Sequence, residues 1–217
     1  MGRLRRTALR AADTPTKVAL PHHEAHLLRD GDAVLLSHDQ HGDNLDVRGR
    51  DLVAKAPRVI TTPAAKGRLG KSERIIGLAP FETTEVVKGD TTVRITGTPA
   101  RHGPPLSLPF VGAVTGFVLE WEGQKSGCAD VAARFDVAVA IVHLGCASWG
   151  PLRFTMNARE AETFAGSFPR ANLVPVHYEG WSHFKEKRAD VDRVFAAANL
   201  SSRLTWLDPG VPRDLEI

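Results

Sequence analysis

Ala33-Val34-Leu35-Leu36-Ser37-His38-Asp39-Gln40-His41-Gly42-Asp43-Asn44 decides the reading of this 217-residue chain. The first half is a short apolar run entered through Gly31 and Asp32, the mark of a buried strand. The second half places His38, Asp39, Gln40, His41 and Asp43 around Gly42, a residue that permits a tight backbone approach. Residues of this kind just past a strand point to a site, because ligands in sheet-based α/β proteins gather beyond the carboxyl ends of strands.

The same arrangement recurs along the chain. The Thr91–Thr98 region runs into Pro99-Ala100-Arg101-His102, Ala140-Ile141-Val142 into His143, and Leu173-Val174-Pro175-Val176 into His177. Imidazoles brought to strand ends from distant segments suggest a metal or catalytic centre. His143 sits inside an apolar run and reads as a structural histidine bonded to backbone; His22, His23, His26 and His183 read the same way. His38, His41, Asp43, His102 and His177 are the site candidates. Neutral imidazole and carboxylate are good zinc ligands. A bound zinc brings the pKa of its water to about 7. A neighbouring carboxylate can hold that water and move its proton, and Asp43 is the candidate for that role.

Around these anchors the pattern alternates irregularly between strands and helices. Val47 to Ala56 reads as a helix stopped before Pro57, and Val59 to Thr62 as a strand, with Pro63 opening a short helix. Thr91 to Thr96 alternates like a half-buried strand, Gly103 to Pro109 reads as a loop, and Val114 to Trp121 as a strand closed by a turn at Glu122-Gly123. The apolar run Val137 to Leu144 predicts a central strand. Asn157 with Glu160 three residues on predicts a capped helix to Phe168. Leu173 to Val176 is a strand whose proline suggests an irregularity or an edge. Asp190 to Ala198 is a helix, and Leu204 to Leu207 a last strand.

Composition narrows the function classes. A hydrophobic fraction of 42% allows a sizeable core. Net charge is +3 and the pI about 9.1, too mild for a dedicated nucleic-acid binder. The two cysteines, Cys128 and Cys146, do not indicate a disulfide scaffold and fit a reducing compartment. There is no apolar run of membrane-spanning length and no secretory signal pattern, so the expected location is cytoplasmic. Gly70-Lys71-Ser72 lacks the leading glycine of a phosphate-binding loop, since Ala65 stands there.

Leu35 to Asn44 resembles the first metal motif of the metallo-β-lactamase superfamily, His-x-His-x-Asp-His after a strand. Thr98 to Gly103 resembles the segment carrying its next metal histidine, and Val174 to Tyr178 the segment carrying the last. The resemblance runs from about residue 33 to the C-terminus, so residues 1–30 are set apart as a poorly patterned segment and 31–217 as the domain. It implies an α+β fold, the αββα four-layer sandwich. It also implies one or two metal ions (zinc, with manganese an alternative) held by His38, His41, Asp43, His102 and His177. The chemistry implied is hydrolysis by metal-bound hydroxide, on substrates that range across the superfamily from lactones to nucleic acids. A small ester, lactone or related substrate is expected here, because the basic residues are not interleaved with aromatics as nucleic-acid binding requires, and no membrane partner is expected. Three departures accompany the resemblance. Counted from His38, the motif's His, Asp and His fall on Gln40, Gly42 and Asp43; counted back from Asp43, His41 and Asp43 fit, but Asn44 stands where the motif has its last histidine and one residue is inserted before His41. The segment Trp121 to Asp130 leaves little chain for the internal strand that carries the family's bridging aspartate; Cys128 either replaces that aspartate or is a small packed residue. Residues 1–30 lack the expected N-terminal strand pair. The alternative reading is therefore a catalytically impaired descendant serving as a binding or structural module.

Overall fold

The computed structural model describes residues 33–42, 44–104, 107–121, 124–126, 131–208 and 215. The N-terminal segment 1–30, Asp43, Cys128 and Asp130 lie outside them.

The first sheet is parallel, in the order β1 (Val34–Leu35), β2 (Val59–Thr61), β3 (Ile75–Gly77). Its register aligns Val34 with Val59 and Ile75, and Leu35 with Ile60 and Ile76. Side chains alternate across a pleat, so these two rows face opposite ways. The Val34 row joins Leu36, Leu45 and Val53 in one core beneath helix α1 (Val47–Lys55). The Leu35 row joins Leu78, Val86, Ile95, Phe117 and Leu119 in a second core. That second core lies against an antiparallel sheet of β4 (Thr83–Lys88), β5 (Thr91–Pro99), β6 (Thr115–Trp121) and β7 (Gln124–Ser126). This half of the molecule is thus helix on sheet on sheet.

α1 starts where Asp46 accepts from the Gly49 amide, and α2 (Pro63–Leu69) where Thr62 accepts from the Ala65 amide, with Pro63 at its first position. A short helix, α3 (Leu108–Val111), lies in the stretch expected to be loop.

The C-terminal half has its own core. β8 (Val139–His143) pairs in parallel with β11 (Asn172–Val176), and the hairpin β9 (Ser148–Trp149)–β10 (Leu152–Arg153) sits between them in sequence. Helices α4 (Ala158–Ser167) and α5 (Arg188–Ala197) bury Phe164, Val191 and Phe195 against Val142, Leu173 and Trp206. The Asn157–Glu160 capping box expected at the start of α4 is present. The Arg203 guanidinium donates to the carbonyls of Ala165, Phe168 and Ala171, satisfying acceptors left open at the end of that helix.

Three expectations change. β8, expected as a central strand, hydrogen-bonds to a single neighbour, β11, among the described residues. Its apolar run reflects packing on both faces, with Val139 against Val174 and Leu215 on the side away from the helices. Leu204 makes only an isolated bridge to Leu173, so the last expected strand is not formed. β7 pairs with β6 from Leu119–Ser126 to Trp121–Gln124, so a short internal strand exists where the chain looked too short for one. β3, β4 and the β9–β10 hairpin were not read from the sequence at all. No helix among the described residues is long and apolar enough to cross a membrane.

Ile60 is fully buried between the sheets. Ile60→Ala is expected to destabilise the protein by about 2–5 kcal/mol through lost burial and a residual cavity. Urea titration should show a lower midpoint with an unchanged slope.

Candidate metal centre

β1 ends at Leu35, and the chain turns immediately through Ser37 into the His38–Asn44 loop. The Thr115 amide donates to the Ser37 carbonyl, tying the start of β6 to this loop. β5, on the facing sheet, ends at Pro99 and delivers His102. The result is a triad: the ligand atoms of His38, His41 and His102 all lie within 4.8 Å of one another. Their ring centroids are 5.2 Å apart for His38–His41, 5.0 Å for His38–His102 and 4.7 Å for His41–His102.

The rest of the loop is committed to holding this geometry. Asp39 is buried, and its carboxylate takes a two-pronged hydrogen bond from the Arg68 guanidinium of α2. Arg50 of α1 donates to the Asp39 carbonyl at 2.7 Å. The Gln40 amide accepts from the Asp39 backbone and lies over Gly112, where any Cβ would fall 1.9 Å from its Nε2. Asp39 and Gln40 are therefore held by contacts within the protein. Asn44 donates to the His38 carbonyl and is buried as well.

His102 is backed by Phe154, which follows β10 and stacks on its ring at 5.7 Å with planes 30° apart. Gly103, at φ 80°, lets that ring approach; a Cβ there would meet Phe154 at 2.8 Å. The unread β9–β10 hairpin thus supplies one wall of the site.

His143 and His177 occupy the same end of the β8–β11 pair, since Val176 is in register with His143. Their rings are 5.6 Å apart. His143 was set aside as structural, yet its charge reaches His38. Register was the missing signal: only pairing shows that the last residue of β8 stands beside the residue after β11. His177 lies outside the close triad, against His143, Phe184 and, at 6.5 Å, His183. His177 adopts φ 59°, a left-handed conformation rare for a non-glycine residue. Its carbonyl is crowded by Gly145, where a Cβ would fall 2.5 Å away. Backbone therefore packs on backbone under this histidine. Asp43 lies outside the described residues.

The electrostatics favour ligation. Burial is the main reason the His38 pKa drops to about 3, helped by repulsion from His102, His41 and His143 and opposed by Asp39. Burial likewise takes His177 to about 4, with a further push from His183 and an opposing backbone hydrogen bond at Leu144. Both imidazoles are neutral at pH 7, the form that offers a lone pair to a cation. His38 Nε2 is buried with no hydrogen-bond partner among the described residues. An orphaned acceptor beside two further imidazoles fits a divalent cation.

No known family profile matches the sequence, and no curated protein matches it. Solved structures do. An isothiocyanate hydrolase from Delia radicum gut bacteria superposes with TM-score 0.70 at 18% identity, over 88% of this chain and 78% of its own. A metallo hydrolase from the archaeon Ignicoccus hospitalis superposes with TM-score 0.65 at 18% identity, over 86% and 80%. A diiron β-hydroxylase from Streptomyces venezuelae gives TM-score 0.58 at 15% identity, over 89% of this chain and 46% of its own. The chain therefore shares the fold of these solved structures, in keeping with the metallo-β-lactamase-like fold that the sequence resembles.

Neutral buried histidines make a pH prediction. The unfolded chain titrates its histidines near 6.5, whereas the native state leaves His38 and His177 unprotonated until about pH 3–4. Between those values the unfolded state binds more protons, so stability falls as pH falls. The melting temperature of metal-stripped protein should drop steadily from roughly pH 6.5 to pH 4.5, with a shallower drop in His38→Asn. A flat profile over that window would contradict neutral burial of these rings.

Proposed function

We propose that this protein is a metal-dependent hydrolase of small molecules. The observation that carries the reading is the His38–His41–His102 triad, drawn from two sheets onto one point around a buried, unpartnered Nε2. Those three histidines would hold the first ion, with Asp43, from the same stretch of sequence, and His177, just past β11, as the further candidate ligands. A cation bound there supplies Lewis acidity and lowers the pKa of water to about 7. Asp43 would hold that water and take its proton. Arg68 and Arg50 keep the loop in shape through Asp39, and Phe154 fixes the plane of His102.

Zinc suits an imidazole-rich set. Iron and manganese are the alternatives, and one structural neighbour is a diiron enzyme. The substrate class is a small ester, lactone or related electrophile; the isothiocyanate hydrolase among the neighbours adds isothiocyanates to the compounds worth assaying.

Elemental analysis after reconstitution with zinc, manganese or iron tests the reading. Wild-type protein should retain stoichiometric metal, while His38→Ala and His102→Ala lose it together with hydrolysis of the active substrate. Asp43→Asn should lower turnover by roughly 10²–10⁴-fold. Wild-type protein that retains no metal under any of these conditions would sink the hydrolase reading and leave the binding-module alternative.

A further inference from the structure

His38 stands at the head of a hydrogen-bond relay. Asn44 is buried, and its Nδ2 donates to the His38 carbonyl at 2.5 Å. A carbonyl can only accept, so this bond settles which end of the Asn44 amide is which and turns Oδ1 toward Ser37. Oδ1 in turn can only accept, and the Ser37 hydroxyl donates to it over 3.4 Å, a long bond. Ser37 Oγ also lies 3.0 Å from His38 Nδ1. A hydroxyl has one proton. When Ser37 donates that proton to Asn44 it offers only a lone pair to the ring, an arrangement that requires the hydrogen on His38 Nδ1. A neutral imidazole has one N–H, which leaves Nε2 as a bare acceptor. Nε2 is the atom found buried without a hydrogen-bond partner among the described residues. The opposite tautomer would bury an N–H there with no acceptor, at the cost of an unsatisfied donor.

We propose that Asn44 and Ser37 are positioning residues that hold His38 as its Nδ1–H tautomer, so that Nε2 is the atom presented to the metal. The inference rests on the metal-centre reading above. It gives Asn44 a role that does not require it to touch the ion. The bond from Asn44 to the His38 carbonyl closes the loop across six residues, so ring orientation and loop shape are set by one side chain. Second-sphere partners of this kind typically change metal affinity by about 10–100-fold when removed.

Long-range proton–nitrogen correlation spectra of the full chain, metal-free and zinc-loaded, report the tautomer directly. His38 is expected as Nδ1–H in both states. Ser37→Ala and Asn44→Ala should lose the single-tautomer pattern in the metal-free protein. Their zinc affinity, measured by competition with a chromophoric chelator, should fall about 10–100-fold. Ser37→Thr keeps the hydroxyl and should restore it. Should Asn44→Ala fail to fold, the Ser37 pair decides, since Ser37→Ala removes one oxygen and leaves the backbone unchanged. Finding His38 as Nε2–H, or wild-type zinc affinity in Ser37→Ala, overturns the proposal and leaves the metal centre standing. A wild-type protein that binds no zinc, manganese or iron overturns the metal-centre reading and the proposal with it.

Discussion

Val59, Ile60 and Thr61 are completely buried, and the rest of the molecule is arranged around that fact. A strand covered on both faces has no freedom to slip, because a one-residue shift would swap the contents of two cores. β1 must then align Val34 and Leu35 with it, and the chain leaves the sheet at one fixed place, just before His38. The facing sheet is pinned through the second core by Val86 and Ile95, so β5 releases His102 on the same side. Two apolar cores of modest size therefore set the distance between imidazoles 64 residues apart in sequence.

The centre itself is costly to build. Burying His38 and His177 strips their rings of water and depresses their pKa values, and clustering imidazoles adds repulsion to any protonated form. The loop meets that cost with hydrogen bonds at nearly every position. Arg68 and Arg50 satisfy Asp39, Gln40 lies over Gly112, and Asn44 and Ser37 bracket His38. The polar residues beside the histidines form the frame around them. The crowded backbone at Gly145 and the left-handed His177 show the same rigidity at the far side of the site.

Much of this was legible beforehand. β1, β2, β5, β6, β8, β11 and four helices carry strong local signals: apolar runs, a proline at a first helical turn, a capping box. The positions of His38, His102 and His177 at strand ends followed from the same patterns. The misses share a cause. β3, β4 and the β9–β10 hairpin are short or exposed and gain their order from pairing rather than from composition. His143 was discounted because an apolar run hides whether its last residue points into a core or emerges at a strand end.

The sequence by itself determined the residue types of the centre and the order in which the chain delivers them, because periodicity and turn chemistry are local properties. The tertiary structure alone decided which of those residues meet. Parallel register set His143 beside His177, sheet-on-sheet packing set His102 beside His38 and His41, and hydrogen-bond directions made Asp39, Gln40 and Asn44 supports of the loop. Proximity depends on long-range pairing and on donor and acceptor geometry, and neither is written in the spacing of residues along a chain.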